Sequence, residues 1–276
     1  MNGKIQIVTV ATHKTGYIDQ LSESCKKGGS NLKIIGLGEK WEGFSTKLKL
    51  MCKFLKSVEP TSIVVFIDAY DVVMLGNIEE LLERYYNFQK PIVLSVETKN
   101  SWFKWNVEKL YFGTYKEEII NSGCYMGEAR FLLEMCKHFE THENDQSYVN
   151  ELARDHKDWF EKYTALDLNS DIFYNASCNS FLSHLHLASC DIGLNMIDNK
   201  LCKLDGVQPV FLHGPGNIDI SHYLNKLGMN VAPPNSTEYF FRTLRDFKYS
   251  ITIGIICIII VIFLLVMIVK YFTKNN

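Results

Sequence analysis

Ser62-Ile63-Val64-Val65-Phe66-Ile67-Asp68-Ala69-Tyr70-Asp71 (SIVVFIDAYD) is the stretch on which the reading of this chain turns. Ser62–Ile67 is an almost uninterrupted apolar run rich in β-branched side chains, the pattern of a central strand covered on both faces. Carboxylates at positions 68 and 71 follow immediately. Ligands of parallel sheets gather at the carboxyl ends of strands, and hard oxygen donors there suit Mg²⁺ or Mn²⁺. By themselves, such acids serve equally well as a solvated capping turn. A haloacid-type phosphatase would carry its second carboxylate two positions on, where Tyr70 stands.

Outward from this strand, apolar runs alternate with amphipathic ones. Lys4–Val10 reads as a β-rich run, followed by a Gly16-led stretch with helical spacing, and Leu32–Ile35 as a second strand. Thr46–Val58 places Leu48, Met51, Cys52 and Leu55 on one helical face and stops before Pro60. Asn77 caps a helix through Tyr86, and Pro91–Val96 is another central strand. The alternation predicts an α/β domain with a largely parallel sheet. With no internal repeat or linker-like tract, residues 1–234 read as one domain.

The 276 residues carry 47% apolar and 13% aromatic content, enough for a sizeable core and too much for disorder. Net charge is −2, with 29 basic against 31 acidic residues, so no electrostatic footprint for nucleic acid is present. Eight cysteines do not make a disulfide scaffold.

Residues 251–269 (ITIGIICIIIVIFLLVMIV) hold no charge. At about 1.5 Å per residue they extend roughly 28 Å, close to the ~30 Å hydrocarbon core of a bilayer. Tyr249, Tyr271 and Phe272 sit at interfacial positions, and Lys248 and Lys270 bracket the run. This predicts a C-terminal transmembrane helix after a 235–250 juxtamembrane stalk, with 270–276 as a short tail. The N-terminus lacks the features of a signal peptide, so the expectation is a single-pass tail anchor with the domain facing the cytosol. The seven cysteines outside the span, an odd number, fit reduced thiols. Sequons at Asn175 and Asn235 would suit a lumenal domain instead.

Seven segments in series carry a resemblance: IVTVATHKTG, GLGEKWEG, VVFIDAYDVVML, INSGCYMGEA, NDQSYVN, LDLNSDIFYN and FLHGPG. From about residue 4 to Pro233 the chain resembles the glycosyltransferase domain of the procollagen lysyl hydroxylase family. The resemblance implies a GT-A-like (Rossmann-type) mixed sheet flanked by helices. It also implies Mn²⁺, UDP-glucose or UDP-galactose as donor, and hydroxylysine or galactosyl-hydroxylysine of collagen-like protein as acceptor. By the same resemblance Asp68, Asp71 and His213 are the metal ligands and Tyr70 stacks on uracil. Thr9, Ala11 and Thr12 line the nucleotide pocket, Lys47 lies near the diphosphate, and Ser122, Gly123, Gly214 and Gly216 belong to the donor site. Trp102, Asn121 and Asp145 are its candidates for the sugar and acceptor side and for catalysis.

Departures from the family pattern matter too. Asp145 alone stands where the family has a longer acidic run, the loop before Lys47 (GFSTK) is shorter, and the iron hydroxylase half is absent from this sequence. A catalytically weakened UDP-sugar-binding or scaffold protein of the same fold is therefore the alternative. The remaining candidates read as ordinary structure: His138 and His142 on a solvated face, His184 and His186 in packing or surface positions, and His156-Lys157-Asp158 in a polar helix. Asp167 and Asp171 read as turn caps, Lys26, Lys27 and Lys33 as a solvated patch, and Trp41 as core or a loop anchor.

Overall fold

The computed structural model describes residues 5–99, 102–137, 144–178, 190–216 and 218–232, together with positions 237, 241, 252, 256, 259, 260, 262–267 and 270. Its main sheet runs in the order β2-β1-β3-β6-β5-β7, with β1 Ile5–Val10, β2 Leu32–Ile35, β3 Ile63–Ile67, β5 Ile92–Val96, β6 Ile120–Glu128 and β7 Thr164–Leu166. A smaller sheet, β4-β11-β8, is built from Val72–Met74, Phe211–His213 and Phe173–Asn175. β9 (Asn195–Ile197) and β10 (Lys200–Cys202) form an antiparallel pair.

Strand β3 is buried along its whole length, as its apolar run requires. Val64 and Phe66 pack on one side of the sheet with Leu48, Met51 and Phe54 of α2 (Phe44–Leu55), Leu132 of α5 (Ala129–Cys136) and Val149 of α6 (Asp145–Asp155). Ile63, Val65 and Ile67 pack on the other side with Leu21 and Cys25 of α1 (Ile18–Lys27) and Leu81 and Tyr85 of α3 (Ile78–Asn87). This two-sided burial follows from the two-residue period of a strand. Asn77 caps α3 as expected, its side chain accepting from the Glu80 amide.

The sheet is less parallel than its alternation suggests. Pairs β1/β2, β1/β3 and β5/β7 are parallel, but β6 is antiparallel to both neighbours. An apolar run buried on both faces has the same composition in either direction, so its sense is set by the path of the connection. Here the chain leaves β5 through α4 (Trp102–Phe112) and turns back near Tyr115–Glu118 into β6.

Other expectations meet different outcomes. Among the described residues no helix is long and apolar enough to cross a membrane; most of the 251–269 run lies outside the described residues. Cys178 and Cys190, read as thiols, form a disulfide; their spacing in sequence carried no signal, because the approach depends on how the chain returns. His138, His142, His184 and His186 lie outside the described residues. Trp41 is neither core nor buried: it is 43% exposed, edge-on to Phe44.

Candidate active site

Asp68 directly follows β3, and its amide donates to the Gly123 carbonyl at 2.8 Å. Asp71 precedes β4, which pairs with β11 in the register His213 opposite Val72. The Gly214 amide donates to the Asp71 carbonyl at 2.8 Å, closing the loop from the other side. Ligand atoms of Asp68, Asp71 and His213 thereby lie within 4.8 Å of one another. His213 Nε2 is 3.5 Å from Asp71 Oδ1 and 3.9 Å from Asp68 Oδ2. That nitrogen is buried and has no hydrogen-bond partner among the described residues, a costly state unless a ligand completes it.

Gly123 makes room for this cluster. A Cβ there would lie 2.5 Å from His213 Cε1 and 2.6 Å from Asp68 Oδ2, closer than real contacts allow. Two carboxylates and an imidazole are a donor set for a divalent cation such as Mn²⁺. The residues present therefore fit the metal that the sequence reading expected.

Beside the acids, Lys47 projects from α2 and is nearly fully buried. Its ammonium lies 3.0 Å from Asp68 Oδ1 and forms an ion pair with Asp145 Oδ2. Burial pulls the Lys47 pKa down, but the charges of Asp145 and Asp68 outweigh it and hold it above the ordinary lysine value. Asp68 is shifted upward, first by burial and further by Asp71, against the opposing pull of Lys47. His213 is also raised: burial opposes its charge, and Cys124 and Asp71 overcome that. Asp145 does not cap α6. Asn144 does, its side chain accepting from the Ser147 amide at 2.9 Å, which leaves the Asp145 carboxylate to face Lys47.

The nucleotide-side candidates also gather. Ala11 and Tyr70 share a small apolar cluster with Ile18 and Ala69, and Tyr70 tilts against His13 with ring centres 5.3 Å apart. Gly16, at φ +59°, lets this loop close on Tyr70, whose carbonyl would meet a Cβ there at 2.3 Å. Thr9 is fully buried at the end of β1, its hydroxyl without a partner among the described residues. Thr12 bonds the adjacent His13 ring at 2.9 Å.

Other candidates are placed differently. Asn121 is buried, its amide donating to Glu97 Oε1 at 2.7 Å and accepting from the Gly123 amide at 2.8 Å, so it braces the Gly123 turn. Ser122 is half-buried, and Gly216 lies in an exposed turn at φ +66°. Trp102 begins α4; its side chain lies outside the described residues. Asp167 is a structural cap, accepting from the amides of Asp171, Ile172 and Phe173.

Glu97 escaped the sequence reading. It is buried directly after β5 and also accepts from Gln146 at 3.1 Å. The signal was available, since Glu97 follows its central strand as Asp68 follows β3. His13 and Asn175 were missed as well, Asn175 because it read as a sequon.

A mixed sheet that presents an Asp-x-x-Asp at the end of a central strand, completed by a histidine from a second sheet, belongs here to the glycosyltransferase class. The chain belongs to the PLOD GT domain family, whose model matches residues 1–239. A Caenorhabditis elegans multifunctional procollagen lysine hydroxylase and glycosyltransferase is 28% identical over 244 residues, covering 82% of this chain and 32% of that protein. The human multifunctional procollagen lysine hydroxylase and glycosyltransferase LH3 is 27% identical over 245 residues, 83% of this chain and 32% of its own length. The chain thus matches about a third of these longer relatives. Among solved structures, mouse xyloside xylosyltransferase 1 in its apo form aligns at 12% identity over 79% of this chain and 99% of that one, with a TM-score of 0.42. That likeness is too distant to carry an argument.

Proposed function

We propose that this domain transfers glucose or galactose from a UDP-sugar to hydroxylysine, or galactosyl-hydroxylysine, of a collagen-like protein. The observation that carries the proposal is the convergence of Asp68, Asp71 and His213, with an orphaned buried imidazole nitrogen turned toward both acids. These side chains would hold Mn²⁺. When bound, the ion offsets charge on the departing diphosphate. Tyr70 and the end of β1 are suited to the nucleoside, Lys47 adds fixed positive charge beside the acids, and Asp145 is suited to accept from sugar hydroxyls.

Incubating the full chain with UDP-glucose and UDP-galactose, with Mn²⁺ or EDTA, tests it. Metal-dependent release of UDP, raised by a hydroxylysine peptide, is the expected result. No turnover of either donor, with Mn²⁺ and donor both bound, would favour the second reading, a UDP-sugar-binding or scaffold protein. The Lys47–Asp145 ion pair favours that reading, because it neutralises the single acid left of the family's run.

We also propose that residues 1–234 form the transferase domain and that 251–269 anchor it in a lipid bilayer through the 235–250 stalk. Disulfides persist in oxidising compartments, so the Cys178–Cys190 bond argues for a domain facing such a compartment rather than the cytosol. Protease protection of sealed microsomes, with and without detergent, distinguishes the two faces.

A further inference from the structure

Asn175 and His213 lie opposite each other on the parallel strands β8 and β11. Both are buried, at 0% and 2% exposure. The Asn175 amide has one possible orientation. Its Nδ2 lies 2.7 Å from the Val96 carbonyl oxygen, which only accepts, so the NH₂ group points there. Oδ1 is then the atom 2.7 Å from His213 Nδ1. An amide oxygen also only accepts, so Nδ1 carries the proton and donates. In the neutral ring this leaves the lone pair on Nε2, the atom that faces Asp71 and Asp68 and has no hydrogen-bond partner among the described residues.

We propose that Asn175 is a positioning residue for the metal site: it fixes the tautomer and ring plane of His213 so that Nε2 is presented to the cation. The inference rests on the metal reading above. A hydrogen bond to the far nitrogen of a metal-binding histidine orients the ring and raises its basicity as a ligand. Asn175 does this from a firm base. Its Nδ2 is tied to the end of β5 in the main sheet, its carbonyl accepts from Thr98 Oγ1, and its strand pairs with that of His213. The small sheet that carries His213 is thereby held in place against the main sheet that carries Asp68. The same engagement makes Asn175 unusable as a glycan acceptor, despite the sequon it heads.

Two measurements test this on the full chain. In the ¹⁵N-histidine-labelled protein loaded with Zn²⁺ as a diamagnetic probe, long-range ¹H–¹⁵N correlation should show His213 protonated at Nδ1 and metal-bound at Nε2. Coordination through Nδ1 overturns the proposal, and this result needs no variant to fold. Direct Mn²⁺ titration followed by electron paramagnetic resonance should show Asn175→Leu weakened about 10- to 100-fold. Asn175→Asp, which keeps an acceptor facing Nδ1 but loses the donor to the Val96 carbonyl, should recover only part of that loss. Wild-type affinity in a folded Asn175→Leu chain overturns this inference alone. Failure of the wild-type chain to bind either ion removes the metal site itself, and the inference with it.

Discussion

Lys47 and Asp145 meet as a buried ion pair that joins the second helix to the start of the sixth, and the same ammonium reaches Asp68 at 3.0 Å. One cation thus ties the acid proposed for the sugar to an acid proposed for the metal. Its removal leaves the buried Asp145 carboxylate and the half-buried Asp68 without their counter-charge. Lys47→Met is expected to cost about 3–5 kcal/mol of stability, measured by urea unfolding. Adding Asp145→Leu should restore part of the loss in a double-mutant cycle; a single-variant cost near zero would show that the pair is not buried in solution.

Asp145→Asn separates catalysis from helix capping. The cap is Asn144, so the substitution leaves α6 intact, and Lys47 keeps Asp68. The expected outcome is a kcat lowered about 10²-fold, equivalent to roughly 3 kcal/mol of transition-state stabilisation, with KM for the UDP-sugar little changed. Full activity would assign Asp145 to the ion pair alone.

Gly123→Ala tests the cradle. The added methyl would sit 2.5 Å from the His213 ring and 2.6 Å from Asp68, so the ligands must part. Mn²⁺ affinity measured by titration should fall by more than tenfold, about 1.4 kcal/mol or more. Asp71→Ala removes one ligand outright. It should abolish Mn²⁺ binding and metal-dependent turnover while the far-ultraviolet circular dichroism stays that of the wild type.

The cysteines give a pH prediction. Burial pushes Cys25 from its ordinary 9.0 up to about 12. Cys124 is raised by burial, and Cys136 by Cys52 and then by burial. The folded chain therefore holds protons that the unfolded chain releases, and stability falls as pH rises above about 9. Denaturant melts at pH 7, 8.5 and 10 should show the decline, and Cys25→Ala should flatten it. At pH 8 iodoacetamide should label none of these three thiols without denaturant, and Cys178 and Cys190 only after reduction.

Much was legible in the residues themselves. The apolar run Ser62–Ile67, the capping Asn77 and the amphipathic face around Leu48 and Met51 each express a local rule, so their strands and helices stand within a few residues of where they were read. Asp68, Asp71 and His213 were nameable because motif order carried them, not because spacing brought them together. Glu97 was overlooked although it occupies the same place after its strand as Asp68. Asn175 had no signal of its own, since its amide matters only against the partners that the fold supplies.

By itself, then, the sequence determined the α/β alternation, the central strand that ends in acids, and the family. These depend on side-chain period and short-range order, which are written along the chain. Tertiary structure alone decided the reversed direction of β6, the pairing of Cys178 with Cys190, the sharing of Lys47 between Asp68 and Asp145, and the bond from Asn175 to His213. Each of these depends on how sheets and helices pack and how the chain returns between them, a property that no local pattern contains.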